Sequence, residues 1–411
     1  MNTKMRQDGR TILHEAIQAV LPDEAVRRAL EGRRFPGRVI LIAAGKAAWQ
    51  MANAAWNCLG ETISGGVVIT KYGHVKGEIG NLICCEAGHP VPDENSFAGT
   101  EKAIEAVQGL TEKDTVLFLL SGGGSALFEK PLIPGEELQD ITNQLLACGA
   151  DIVEMNTIRK RLSAVKGGRF ARLCAPAHIF SVILSDILGD PLDMIASGPA
   201  CPDRSTCEQA RQIAEKYYLR LSPQVRTLLD QETPKELSHV ESVVTGSVRE
   251  LCAAAANACR KLGYEPVILT DQLHCQAKEA GSFLASVAVS HAKDGKRQAF
   301  LAGGETVVYL TGNGKGGRNQ ELALAAAEDI AGLDNVLILS AGSDGTDGPT
   351  DAAGGIADGD TAKELAAQGI LIHRVLEKND AYHALEKTDG LIITGPTGTN
   401  VNDVAILLIQ P

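Results

Sequence analysis

The chain has 411 residues, more than one hydrophobic core usually supports, so two domains are expected. Its 44% hydrophobic and 22% charged content is that of a globular protein, and a net charge of −12 excludes a general nucleic-acid binder, which needs Lys and Arg against phosphates. No stretch approaches the roughly 20 uninterrupted apolar residues of a membrane span, the N-terminus lacks the apolar region of a signal peptide, and ten scattered cysteines without a C-x-x-C fit reduced thiols in a cytoplasm.

The first elements follow from periodicity. Ile12, Ile17, Val20 and Leu21 stand at helical spacing and predict an amphipathic surface helix. Short runs rich in Val, Ile and Leu then predict buried parallel strands at 39–43, 67–70, 82–85, 116–120 and 179–184. Between them, residues 46–59, 94–110, 135–147 and 152–173 carry apolar positions at helical spacing. The alternation implies an α/β domain with a Rossmann-like, doubly wound, mostly parallel sheet over residues 1–237. A second alternation predicts a C-terminal α/β domain over 238–411, with strands at 243–245, 266–270, 300–302, 307–310, 336–339, 391–394 and 404–409, and an interdomain cleft.

In open α/β sheets ligands collect at the carboxyl ends of strands. Three such ends run into glycine: Val39–Ile42 into Gly45-Lys46, Leu117–Leu120 into Ser121-Gly122-Gly123-Gly124-Ser125, and 307–310 into a loop holding Gly312, Gly314, Gly316, Gly317 and Arg318. Glycine lets the backbone approach an anion, and free N–H groups with an arginine fork hold phosphate. Lys46, at the start of a helix, is oddly placed for a structural residue, because its charge meets the positive end of the helix dipole. The carboxylates Asp186, Asp190, Glu305, Asp344, Asp347 and Asp351 also fall at strand ends, where Mg²⁺ would find oxygen ligands. The basic block 156–172 sets Asn156, Lys160, Ser163 and Lys166 three or four residues apart, along one face if helical, a candidate anion site. Walker A, H-E-x-x-H and G-x-S-x-G patterns are absent.

With these motifs in order the chain resembles the class II glycerate 2-kinases, whose C-terminal part is the MOFRL domain. The resemblance is carried by G-K-A-A-W-Q-M-A (45–52), G-H-P-V-P-D (88–93), S-G-G-G-S-A-L (121–127), N-T-I-R-K-R-L-S-A-V-K-G-G-R (156–169), S-D-I-L-G-D (185–190), I-A-S-G-P (195–199), G-G-E-T (303–306), G-K-G-G-R-N-Q-E (314–321) and S-D-G-T-D-G-P-T-D-A-A-G (343–354). It implies ATP-dependent, Mg²⁺-assisted phosphorylation of the 2-hydroxyl of D-glycerate, with Lys46 and Arg318 as key cations. It further implies Asn156, Lys160, Asp186, Glu305, Asp344, Asp351 and Asn402 as cleft residues. In that scheme Lys46 and Arg318 neutralise phosphate, with Asp186 a candidate base. The 121–125 loop and Gly314, Gly316 and Gly317 hold the nucleotide, Lys166 joins Asn156, Lys160 and Asn402 at the substrate, and Asp190, Glu305, Asp344 and Asp351 hold the metal. Expected partners are a small-molecule substrate and a nucleotide, with no nucleic acid or membrane and with self-association left open. Two rivals share the glycine spacing: an NAD(P)H-dependent hydroxypyruvate reductase, through Gly312-x-Gly314-x-x-Gly317, and a non-catalytic nucleotide or sugar-phosphate binder.

Overall fold

The structure, a computed structural model, describes residues 3–411. Strands β1 (Val39–Ala44), β2 (Ile63–Lys71), β3 (Leu82–Ala87), β4 (Thr115–Leu120), β5 (His178–Leu184) and β6 (Val240–Gly246) form one sheet in the order β3-β2-β1-β4-β5-β6. Its first five strands pair in parallel. Alternate residues of β1 feed opposite cores: Ile40, Ile42 and Ala44 pack with Phe118, Phe128 and Phe170, whereas Val39, Leu41 and Ala43 pack with Met51, Ala52 and Phe180. Both faces are therefore covered, which is why these strands read as continuous apolar runs. The strand order reverses between β1 and β4, the switch point at which doubly wound sheets open a ligand crevice.

The second sheet contains β7 (Glu265–Leu273), β8 (Gln298–Gly304), β9 (Val336–Gly342), β10 (Gly354–Asp358), β11 (Leu391–Ile392) and β12 (Asp403–Ile409), in the order β11-β10-β9-β12-β8-β7. Only β7 and β8 pair in parallel, and the remaining pairs are antiparallel. The fully buried β12 lies between β8 and β9.

Four features differ from the sequence reading. The chain divides into one compact unit of Pro22–Thr245 and another joining the residues through Leu21 to Gly246–Pro411, whereas periodicity puts a boundary near Leu237. The reason is that β6 completes the first sheet, and the helix Thr3–Ala19, amphipathic as expected, packs its buried face on the helix Val248–Lys261. Residues 307–310 form no strand; Val307 makes only an isolated bridge to Gln276. The helix expected over 152–173 breaks into Ile152–Arg161 and Arg169–Cys174, because Gly167 and Gly168 turn the chain at φ 59° and 79°. Finally, β10 is a strand that periodicity does not predict, since its G-G-I-A-D sequence lacks a β-branched run.

Candidate functional site

At the switch point the backbone N–H of Lys46 donates to the Gly122 carbonyl at 2.9 Å, and Ala47 N–H donates to Ser121 Oγ at 3.1 Å. The loops after β1 and β4 are thus bolted together. The Lys46 carbonyl accepts from Thr70 Oγ1 at 3.2 Å and faces His74 Nδ1 at 3.0 Å, which leaves its exposed side chain free to range over the 121–125 loop. A Cβ on Gly122 would lie 2.3 Å from Asp186 Oδ2. A Cβ on Gly123, at φ 84°, would lie 2.9 Å from the His89 ring and 3.2 Å from Lys46 Cγ. Side chains of Lys46, His89 and Asp186 therefore close around two bare glycines, and any larger residue would displace them. Among the described residues the N–H groups of Gly122 and Gly123 meet no protein acceptor.

Electrostatics at this end of the sheet are mixed. Burial raises the Asp186 carboxyl above its ordinary range, and Lys46 offsets only part of that. Burial, then the charges of Lys46, Lys71 and His74, lower the imidazole of His89. A neutral ring and a poorly solvated carboxylate beside a free ammonium are the elements of a proton-transfer site.

The basic block behaves differently from its spacing. Only Asn156 and Lys160 share a helix, because that helix stops at Arg161. Lys166, expected at the substrate, is fully buried: it pairs with the equally buried Glu129 at 2.6 Å and donates to the carbonyls of Ser125 at 2.8 Å and Phe128 at 3.2 Å. Burial, only partly countered by Glu129, pushes its pKa down to about 8. Asn156, 3% exposed, bonds Ser197 and Met194. Lys160 pairs with Asp203 at 3.1 Å and Asp193 at 3.6 Å. It borders a cavity of about 420 Å³ that is also lined by Thr157, Asp193, Met194 and Arg204.

In the other unit Arg318 opens the helix Arg318–Asp329 and forks onto Asp403, with Nε to Oδ2 at 2.6 Å and a second nitrogen to Oδ1 at 3.1 Å. Its remaining nitrogen reaches Glu305 Oε1 at 2.9 Å, while Glu305 Oε2 accepts from Asn402 at 3.3 Å. Burial would lower the guanidinium pKa, but Asp403 and Glu305 outweigh it and raise it. Asp403, which the sequence reading did not single out, is the main partner; its signal was a lone Asp at the start of an apolar run.

Four N–H groups of the glycine loop before Arg318 are spent internally, which takes Gly314 out of the expected phosphate cradle. Thr311 and Gly312 N–H donate to Asn379 Oδ1, Gly314 N–H to the Lys378 carbonyl, and Lys315 N–H to Asp380. A Cβ on Gly314 would sit 2.5 Å from Asp380 Cβ, so glycine serves close approach of the chain to itself. At the helix start, N–H groups of Asn319 and Gln320 donate to Asp347 at 3.2 and 2.9 Å, so a carboxylate of the protein occupies the place a phosphate would take.

The carboxylates expected to hold metal do not pool. Glu305 is committed to Arg318 and Asn402, Asp344 caps its own turn through Thr346, and exposed Asp351 accepts from Tyr382 at 2.8 Å. Among the described residues no three His, Cys, Asp or Glu side chains gather as a metal site. Asp190, at φ 51° in the loop after β5, keeps Oδ1 buried without a hydrogen-bond partner.

Residues 8–230 match the family described as a domain of unknown function (DUF4147), and residues 298–403 match the MOFRL family. The chain is similar to a D-glycerate 2-kinase of Thermotoga maritima, 53% identical over 97% of each chain. It is similar also to a glycerate 2-kinase of Pyrococcus horikoshii, 41% identical over 98% of this chain and 97% of that one. A crystal structure of glycerate kinase from Thermotoga maritima superposes with a TM-score of 0.95 at 51% identity, covering 99% of both chains.

Proposed function

Because the chain belongs to the glycerate kinase family that carries the MOFRL domain, we propose that it transfers the γ-phosphoryl group of ATP to the 2-hydroxyl of D-glycerate. The observation that carries this reading is the convergence of Lys46, His89 and Asp186 on Gly122 and Gly123 at the switch point. Phosphoryl transfer demands little beyond positioning and charge neutralisation. The free N–H groups of Gly122 and Gly123 receive phosphate oxygens, and Lys46 supplies mobile positive charge above them. Asp186, poorly solvated and therefore a stronger base than an ordinary carboxylate, takes the proton of the attacking hydroxyl.

The cavity beside Lys160 has room for a three-carbon hydroxy acid, with Lys160 and Arg204 for its carboxylate. Arg318, held rigid by Asp403 and Glu305, presents a fixed cation for phosphate. Mg²⁺ commonly keeps only one or two protein carboxylates and takes its other oxygens from phosphates and water, so the scattered acids suit a metal that arrives with the nucleotide. The partnerless Oδ1 of Asp190 is the protein oxygen best fitted to hold it. Bound there, the ion would neutralise charge on the β- and γ-phosphates.

A reductase would use the Gly312 to Gly317 spacing for dinucleotide, but that loop follows no strand and the N–H groups of Gly312 and Gly314 are engaged, which favours the kinase. Ten unpaired cysteines suit a reducing compartment, and the protein is read as cytoplasmic. Incubation with ATP, Mg²⁺ and D-glycerate followed by ³¹P NMR tests the proposal: 2-phosphoglycerate is expected. The 3-isomer would reject the regiochemistry, and absence of product the activity.

A further inference from the structure

In Ile195-Ala196-Ser197-Gly198 three consecutive residues hold positive φ, 50° at Ala196, 60° at Ser197 and 66° at Gly198. Two of them carry a Cβ, for which this region is uphill, so surrounding contacts must hold them there. Those contacts are present: the carbonyls of Ser197 and Gly198 accept from Gly167 and Gly168 N–H at 3.0 and 2.7 Å. The Ser197 side chain is fully buried, with its hydroxyl 3.0 Å from Ser125 Oγ and 2.9 Å from Asn156 Oδ1.

A hydroxyl has one proton to give. Asn156 turns its oxygen to Ser197 because its amide nitrogen donates to Met194 Sδ at 3.6 Å, and the reverse orientation would set oxygen against sulfur. Ser197 therefore donates to Asn156, and Ser125 donates to Ser197. Lys166 grips the carbonyl of the same Ser125 at 2.8 Å. Ser125 is thus clamped by its hydroxyl and by its carbonyl.

We infer that Ser197 is a positioning residue for the Ser121–Ser125 loop, fixing Ser125 and consuming its only hydroxyl proton, so that Ser125 has no hydroxyl proton left for nucleotide phosphate. The inference rests on the reading of that loop as the phosphate site. It also assigns Asn156 to the support of the loop instead of direct contact with substrate.

The test uses the full chain with Ser197→Ala and Ser197→Gly. Both remove the hydroxyl, but glycine takes φ near 60° without strain. Each variant is expected to weaken ADP binding, measured by calorimetry without turnover, by about five- to tenfold, with the KM for D-glycerate unchanged and Ser197→Gly melting above Ser197→Ala. In a Ser125→Ala background, Ser197→Ala should add less than about twofold, because both act through one hydrogen bond. ADP affinity equal to wild type in both variants, or full additivity with Ser125→Ala, overturns the inference while leaving the kinase reading intact. A wild-type chain that phosphorylates glycerate but loses no ADP affinity on disruption of the loop by Gly123→Val refutes the phosphate-site reading on which it rests.

Discussion

Arg318 shows how a cation can be both partly exposed and fixed in place. Its fork takes both oxygens of Asp403 and leaves one nitrogen for Glu305, a geometry a lysine cannot reproduce because an ammonium is a point charge on a flexible stem. Arg318→Lys should therefore lower kcat by about 10²-fold or more, and should cost on the order of 1–3 kcal/mol of stability through the buried Asp403. Steady-state kinetics and thermal melts check both, and near wild-type turnover would remove Arg318 from the chemistry. Asp186 makes a pH argument. Its carboxyl is raised by burial, so the basic form is lost as pH falls through that raised value, earlier than for an exposed aspartate. A pH profile of kcat/KM should show an acid limb above the ordinary value of 3.8. Asp186→Asn should abolish that limb and slow the reaction by about 10²-fold or more.

The helix Arg318–Asp329 depends on a residue far from it in sequence. Asp347 satisfies the N–H groups of Asn319 and Gln320 and the side-chain amides of both. Replacing it by Ala should strand these buried donors and cost about 1–3 kcal/mol in chemical denaturation. Its titration adds a sign. Burial, offset only in part by those donors, pushes the Asp347 pKa up to about 6 from 3.8. The folded chain thus retains a proton that the unfolded chain has lost. The resulting stabilisation is complete below pH 3.8 and is lost as pH rises through about 6. Relative to Asp347→Asn, wild type should lose about 3 kcal/mol across that window. A stability difference independent of pH would contradict the assignment.

Across the whole molecule, the first helix belongs structurally with the far end of the chain. A Cβ on Gly9 would come 2.6 Å from Leu339 Cδ2, and Arg6 pairs with buried Asp358 at 2.8 Å. Deleting the residues through Leu21 should uncover this face and leave Asp358 unpaired, destabilising residues 246–411 while 22–245 keeps its core. Hydrogen exchange read by mass spectrometry should show faster exchange confined to the second unit. Uniform acceleration over both units would contradict the division.

Local pattern was enough for β1, β4 and β5, because each is buried along nearly its whole length and announces itself as an apolar run, but not for β6, whose half-exposed residues do not say which sheet it completes. Lys46, the 121–125 loop and Asp186 follow directly on β1, β4 and β5, so their neighbourhood at one sheet end was legible too. Local pattern failed where partners are distant. Lys166 reads as a cation for the substrate until Glu129 is found beside it, Gly312 and Gly314 read as part of a phosphate loop until residues 378 and 379 are seen to take their N–H groups, and Asp347 and Asp403 gain their roles only when β9 and β12 bring them to the start of one helix. A sequence records which groups can donate, accept or carry charge. Only tertiary structure decides which of them are already satisfied by the protein and which remain open to a ligand, because a buried polar group must find its partner wherever the fold puts one.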